Sequence, residues 1–349
     1  MSLFEQLPEL LVPWHRANKR DLPWRVESSP YHTWLSEIML QQTRIEAVIP
    51  YYYRFLNELP TIESLANASE ERLLKLWEGL GYYSRVRNLK KAALLVMEQY
   101  NGCLPASFDQ LRRLPGIGDY TAGAIASMAF GLPEPAVDGN VLRVITRITG
   151  NYADIALSAT KKEITELLRA IYPSGDDAGD FTEGLMELGE TVCIPVGTPR
   201  CENCPVMKIC VAYRDQLTEQ LPVKSEKKKR KIENHTILVL QHGNQFALQK
   251  RPAKGLLAGM WELPNFIGHM SVDEIGNRIV DACGDTITSL PPSNHIFTHI
   301  EWRMQGYHLK SHCLDERYTW VTAQQLLHDY ALPMAFRVFK DYILALQEE

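Results

Sequence analysis

Four cysteines crowd into residues 193–210, with Cys193, Cys201, Cys204 and Cys210 spaced C-x7-C-x2-C-x5-C. In a chain without need of disulfides such thiols are metal ligands, and zinc and an iron–sulfur cluster are the two candidates that spacing leaves open. The other cysteines, Cys103, Cys283 and Cys313, are isolated and read as small buried hydrophobes. In Leu114-Pro-Gly-Ile-Gly-Asp-Tyr-Thr-Ala122 two glycines, Gly116 and Gly118, form a tight turn before a helix of small residues. Backbone N–H groups exposed at such a helix start can hold a phosphate oxygen without a basic side chain. Asp138, in Pro135-Ala-Val-Asp-Gly-Asn140, directly precedes another helical pattern and suits an N-cap. One of its oxygens can cap while the other faces a cleft. Glu37 lies in Trp34-Leu-Ser-Glu-Ile-Met-Leu-Gln-Gln-Thr43, where Leu35, Ile38, Met39 and Gln42 follow helical spacing. Apolar neighbours would raise its pKa if it is buried.

The elements that must position these residues differ along the chain. Up to residue 223 the pattern is helical, with apolar residues three and four apart in 30–40, 70–76, 86–100 and 160–171. After it, 235–240 and 245–249 flank a Gly243-Asn244 hairpin signal, further strand-like runs lie at 302–309 and 318–321, and helices are expected over 323–329 and 335–346. Between the two parts, Lys224-Ser-Glu-Lys-Lys-Lys-Arg-Lys231 carries six basic residues and one acidic residue, with nothing apolar to bury. It reads as a solvated tether.

The whole chain has 349 residues, is 45% hydrophobic and carries a formal net charge of −5. That balance excludes a binder that coats nucleic acid by bulk charge, while leaving room for local basic surface such as Arg85, Arg87, Lys90 and Lys91. No uncharged run reaches the length of a membrane span, and Met-Ser-Leu-Phe-Glu lacks the features of a secretory signal. The expectation is a soluble cytoplasmic protein with no membrane partner.

Taken together, the glycine turn, the downstream aspartate and the four cysteines resemble the endonuclease III superfamily of base-excision DNA glycosylases. Glu37 in its Ser-Glu-Ile-Met-Leu-Gln-Gln-Thr run, Gly79-Leu-Gly-Tyr-Tyr-Ser-Arg85 and a C-terminal domain after a linker resemble the MutY-type adenine DNA glycosylases within it. The resemblance implies an all-α, two-lobed helix-hairpin-helix glycosylase domain over 1–223, with a cluster loop at 193–210. It further implies a basic linker over 224–234 and an α+β Nudix (MutT)-like domain over 235–349. It implies a [4Fe–4S] cluster on the four cysteines, although the family's first gap is usually six residues and here is seven.

The implied activity is hydrolytic removal of adenine mispaired with 8-oxoguanine or guanine, by a monomer acting on double-stranded DNA of the nucleoid; protein partners in replication or mismatch repair are not legible. A flipped adenine would be protonated by Glu37, and Asp138 would stabilise the positive charge at the sugar C1′. Tyr120 and Asn140 would orient Asp138 or the water. Bifunctional relatives carry a lysine where Tyr120 stands, and a phenol forms no imine, so strand cleavage is not expected. Gln42 and Tyr82 match positions that enter the base stack, Arg25 and Glu183 match the adenine pocket, and Arg85, Gly116 and Gly118 are expected at DNA. Phe297, Thr298 and His299 match the loop that senses 8-oxoguanine, usually Phe-Ser-His. Gly255-Leu-Leu-Ala-Gly-Met-Trp-Glu-Leu-Pro264 resembles a Nudix start, but the aligned helix Asn277-Arg-Ile-Val-Asp-Ala282 has one acidic residue, Asp281, so no magnesium site for pyrophosphate cleavage is expected. A pyrimidine glycosylase with lyase activity and a catalytically silent lesion binder are the competing readings; Tyr120 opposes the first and the Glu37–Asp138 pair the second.

Overall fold

The computed structural model describes residues 3–225, 229–278 and 283–346. Backbone contacts divide the chain into two compact units, Met1–Asn67 with Asn88–Glu226, and Ala68–Arg87 with Lys227–Glu349. The placement of Ala68–Arg87 has a local cause. Lys75 Nζ donates to the carbonyls of Leu326 and Tyr330 at 3.2 and 3.1 Å, and Glu78 accepts from Lys340 Nζ and from the Leu332 N–H. The second unit therefore contains twenty helical and turn residues that periodicity alone assigns to the N-terminal part.

The first unit is built from helices around one core. Those that matter for the site are α1 (Leu7–Asn18), α2 (Pro30–Leu40), α3 (Phe108–Arg112), α4 (Asp119–Phe130), α5 (Gly139–Thr149) and α6 (Asp176–Thr191). Helix α2 starts where Ser29 accepts the His32 N–H and Pro30 supplies a preset φ. All residues from Tyr31 to Met39 except His32 are buried, as expected for a helix apolar on most sides. Its regular turn ends at Leu40, two residues short of the helical spacing read through Gln42, because Gln41 turns out to ψ 108° and Gln42 enters the left-handed region at φ 59°. Leu7, Leu11, Val141, Ile145, Phe181, Leu185 and Leu188 lock α1, α5 and α6 together; burying each stabilises by roughly 1.5–3 kcal/mol relative to exposure. Residue 123 on α4 must be glycine: a Cβ there would stand 2.2 Å from the Pro135 carbonyl oxygen. That close approach lets residues 135–138 run along α4 and deliver Asp138.

The second unit centres on a sheet ordered β3-β2-β1-β6-β5, with β4 also paired to β1 and β7 to β2. The strands are β1 (Lys231–His242), β2 (Gln245–Lys250), β3 (Trp261–Glu262), β4 (Asn265–Ile267), β5 (Cys283–Ile296), β6 (Ile300–Ser311) and β7 (Thr319–Thr322). Strand β1 is continuously apolar over residues 237–240 because both its faces are covered there: Ile237 and Val239 join Phe246, Trp302 and Phe339, while Leu238 and Leu240 join Ala247, Ile275 and Leu309. The hairpin at Gly243-Asn244 forms, with His242 opposite Gln245 and Gly243 at φ 58°. β1 begins at Lys231, so the sheet claims residues expected to be tether. Helices α7 (Ala323–His328) and α8 (Arg337–Ala345) follow β7.

Strand β5 has no counterpart in the sequence pattern. It is an edge strand paired only to β6, and Pro291-Pro292 fall at a register shift between Leu290 and Ser293. Prolines are tolerated there because an edge strand has one unpaired side. Of the run Asn277–Ala282, residues 279–282 with Asp281 lie outside the described residues. Cys103 and Cys313 are exposed rather than buried. Among the described residues no helix is long and apolar enough to cross a membrane.

Candidate active site

Two adjoining cavities of the first unit share Glu37. The larger, about 650 Å³, is lined by Trp24, Arg25, Glu37, Met186, Glu183 and Glu187, among others. The second, about 430 Å³, is lined by Glu37, Gln42, Tyr120, Asp138, Asn140 and Glu190, among others. The carboxyl group of Glu37 therefore stands where the cavities meet, and the larger is of the size that encloses small-molecule ligands.

Glu37 is 5% exposed. Burial pushes its carboxyl up to about 7, helped by the negative charges of Asp138 and Glu183 and opposed by the nearby Tyr120 hydroxyl and Arg25. Its Oε2 has no hydrogen-bond partner among the described residues. An acid that keeps its proton near neutrality, with one oxygen uncommitted, can donate to a ligand.

Asp138 performs both roles open to it. Its Oδ1 accepts the Val141 N–H at 2.8 Å and caps α5, while Oδ2 accepts from Asn140 Nδ2 at 3.2 Å. Helix-start N–H groups favour the ionised form of such a carboxyl. Burial nevertheless raises the Asp138 carboxyl as well, outweighing the N–H groups of Val141 and Asn140 and the charge of Arg143. A positive charge developing beside it would reverse that balance, since an opposite charge favours the ionised form. The Tyr120 hydroxyl is pushed well above its ordinary value by burial and then by Glu37 and Asp138, so it stays a neutral donor; it also lies 3.7 Å from Met186 Sδ.

Sequence reading missed Arg143, which organises this corner. Its guanidinium donates to Asn140 Oδ1 and the Gly189 carbonyl at 2.8 Å each, and to the Cys193 carbonyl at 2.9 Å. A continuous chain thus runs from Cys193 through Arg143 and Asn140 to Asp138. The three-residue interval from Asn140 to Arg143 on one helix face was the available signal. Also missed were Glu187 and Glu190, which continue from Glu183 along α6 at spacings of four and three. Arg25 Nε lies 3.1 Å from Glu183 Oε2, Arg25 also binds Glu187, and Arg20 binds Glu187 and Glu190.

The four clustered cysteines, all free, line one cavity with Val144, Ile148, Leu188, Val192 and Val206. Burial pushes Cys204 up to about 12, and burial together with neighbouring thiolates raises Cys201 and Cys210. Thiolates gathered in an apolar cavity repel one another and need a cation, which is the chemistry of an iron–sulfur or zinc site. Arg147 NH1 lies 3.2 Å from Cys193 Sγ. Among the described residues no three His, Cys, Asp or Glu side chains are gathered as ligands of one ion. The seven-residue gap is absorbed by an exposed loop: Val196 is 82% exposed, Gly197 is left-handed, and the Arg200 N–H closes the loop on the Val192 carbonyl at 3.0 Å.

The glycine turn links α3 to α4. Gly116 is left-handed at φ 79°, Leu114 and Ile117 anchor the turn in the core, and Gly116 and Gly118 are exposed at the start of α4, where the N-cap Gly118 has no side chain to cover the N–H groups. Gln42 in this unit and Tyr82 in the other are both exposed and both non-glycine residues in the left-handed region, a strain that clusters at functional positions.

In the second unit Tyr82 and the loop at 297–299 come together. The Tyr82 hydroxyl is 3.1 Å from Thr298 Oγ1. Phe297 stacks edge-on against Trp302 at 5.0 Å, its N–H donates to the Ile300 carbonyl, and the His299 carbonyl accepts from the Lys231 N–H. Thr298 and His299 are exposed. Arg85 departs from the expected DNA contact: it is 8% exposed, donates to the Leu80 and Gly81 carbonyls at 3.1 Å each, and lies over the Trp77 and Tyr82 rings. Its charge is spent holding the turn that presents Tyr82. Arg87 is likewise engaged, with Glu70 and the Ala258 carbonyl.

Residues 35–173 match the family described as HhH-GPD superfamily base excision DNA repair protein, and 235–341 match the NUDIX domain. The chain is 34% identical to the adenine DNA glycosylase of Buchnera aphidicola (subsp. Acyrthosiphon pisum), covering 74% of this chain and 73% of that one. It is 32% identical to that of Mus musculus over 95% of this chain and 77% of the relative, and 37% identical to that of Arabidopsis thaliana, of which it spans 55%. Among solved structures, a thermostable thymine-DNA glycosylase superposes with a TM-score of 0.56 at 29% identity, covering 61% of this chain and 97% of that one. A non-covalent endonuclease III–DNA complex shares the fold at a TM-score of 0.52 and 24% identity, covering 62% of this chain and 99% of its own. The chain belongs to the adenine DNA glycosylases of the HhH-GPD base excision repair superfamily.

Proposed function

We propose that the protein excises adenine paired with 8-oxoguanine or guanine in double-stranded DNA, by hydrolysing the N-glycosidic bond of a flipped nucleotide, and that it does so as a monomer on nucleoid DNA in the cytoplasm. The carrying observation is the Glu37 carboxyl, buried between the two cavities and titrating at about 7. A base inside a duplex is out of reach, so adenine turns out into the larger cavity at a cost of about a few kcal/mol in unstacking. Gln42 fills the vacated stack. Adenine presents an acceptor, N7, beside a donor, the N6 amine. Protonated Glu37 gives its proton to N7, and the carboxylate of Glu183 accepts from the amine; guanine offers a carbonyl oxygen at that second point and would face the carboxylate unfavourably.

As the base leaves, positive charge spreads over the sugar ring. Asp138, held by the α5 N–H and by Asn140, faces that charge from the adjoining cavity and is drawn to its ionised form. Tyr120 stays protonated between the two carboxyls and orients them. With no amine at that position, the reaction ends at base removal. Phosphates are held by N–H groups at Gly116–Gly118, without a large positive charge. Thr298 and His299, with Tyr82, supply polar groups toward 8-oxoguanine. The four thiols suit a [4Fe–4S] cluster, in which each cysteine binds a different iron and need not converge on one ion; when bound, it would tie the loop 193–210 to α5 and leave the chemistry to the side chains above.

The test is single-turnover adenine release from duplexes with adenine opposite 8-oxoguanine, guanine or cytosine, by wild type and Glu37→Gln. Release is expected from the first two and abolished in the variant. Equal release from all three, or an unaffected variant, overturns the reading.

A further inference from the structure

We infer that His15, a residue outside the reacting centre, is a positioning residue for the base pocket, acting through Glu183 to set recognition of the adenine amine; this rests on the pocket reading above. His15 is 0% exposed on α1. Its two ring nitrogens stand against two carboxyls one turn apart on α6: Nδ1 lies 3.0 Å from Asp180 Oδ1, and Nε2 lies 3.3 Å from Glu183 Oε2. Asp180 is fixed independently, by Arg16 Nε at 2.6 Å. The imidazole therefore cannot turn without breaking the Asp180 contact, and its Nε2 is held at the oxygen of Glu183 that Arg25 Nε also approaches, at 3.1 Å.

Glu183 lines the larger cavity with Glu37. Two nitrogens, His15 Nε2 and Arg25 Nε, crowd Oε2 and leave Oε1 as the oxygen for a ligand. Neither His15 Nε2 nor Arg25 Nε completes a well-aligned hydrogen bond among the described residues. Both nitrogens thus stand close to Glu183 Oε2 without completing a hydrogen bond, a geometry that tightens when a ligand draws the Glu183 carboxylate to one side. Packing explains why the contact is so near. A Cβ at Gly184 would come within 3.1 Å of Leu11 Cγ and 3.2 Å of His15 Cβ, so α1 and α6 meet at a glycine.

A role through Glu183 predicts a loss that depends on the amine. Base release from duplexes containing adenine or purine, which lacks the N6 amine, is measured at single turnover for wild type, His15→Leu and His15→Gln, with duplex affinity and melting temperature alongside. For His15→Leu we expect the release rate to fall about tenfold on adenine and less than twofold on purine, at unchanged duplex affinity. His15→Gln keeps a donor and is expected to recover part of the adenine rate. Equal losses on the two bases, or no loss on adenine, overturns the inference. Should His15→Leu not fold, the adenine-to-purine ratio of His15→Gln decides it by the same criterion. Glu37→Gln is the separate control: if it still releases either base, the pocket reading has failed whatever His15 does.

Discussion

Replacing Glu37 with glutamine should make the protein inactive and more stable, and the gain should depend on pH. Its carboxyl titrates at about 7 instead of an ordinary 4.5, chiefly because it is buried. Between those values the folded protein retains a proton that the unfolded chain has released, so stability falls as pH rises across the window and the cost is complete above it. At ~1.4 kcal/mol per pH unit the cost comes to about 3.5 kcal/mol. Glutamine keeps the shape and cannot ionise; a poorly partnered buried amide returns about 1 kcal/mol of that gain. Glu37→Gln should then exceed wild type by about 2.5 kcal/mol at pH 8, with the advantage shrinking as pH falls and reversing to a deficit of about 1 kcal/mol near pH 4.5. For a unit of this size that is a melting shift of roughly 5–10 °C at pH 8. Melting curves of the two proteins from pH 4.5 to 8, followed by the helical far-ultraviolet signal, measure it directly. A difference that stays constant with pH, or a variant less stable at pH 8, would refute burial as the origin of the retained proton. The same proton predicts that wild-type adenine release declines as pH climbs past about 7.

Three further outcomes follow from the geometry. Arg143→Met removes the donors to Asn140, Gly189 and Cys193; loss of charged hydrogen bonds of ~1.5–3 kcal/mol should slow adenine release by about ten- to a hundredfold without changing duplex affinity, as read by single-turnover rates and titration. Tyr120→Lys should gain a borohydride-trappable adduct with DNA that wild type does not form, detected as a shifted band after denaturing electrophoresis. Gly116→Ala places a Cβ 2.7 Å from Asn88 Cβ in a left-handed residue, so it should lower stability by about 1–2 kcal/mol and weaken duplex binding, seen by melting and by fluorescence anisotropy.

Residue types and spacing were enough to nominate the chemistry: Glu37 among apolar neighbours, Asp138 before a helix, the Gly116–Gly118 turn and the four cysteines. These are local signals, carried by periodicity, capping and short spacings, and the structure leaves each in the element foreseen. Elements with an ordinary pattern were likewise readable, while β5 was not, since an edge strand is set by its partner β6 and tolerates Pro291-Pro292. Charge was the least readable feature. Arg85 looks like a surface cation in sequence, yet it is buried against the Leu80 and Gly81 carbonyls, and Asp138, although its cap favours the ionised form, is shifted upward by burial. Whether a titratable group is a solvated face, a clamp or a proton donor depends on which distant segments desolvate it. His15 and Glu183 are 168 residues apart, Asn140 and Gly189 forty-nine, and Arg143 reaches Cys193 across fifty. No local pattern encodes such pairings; they come from α1 packing on α6 at Gly184 and from residues 135–138 lying against Gly123. The amino-acid sequence by itself determined which groups could react, and the tertiary structure decided which of them keep their protons and face one another, because desolvation and long-range contact exist only once the chain has packed.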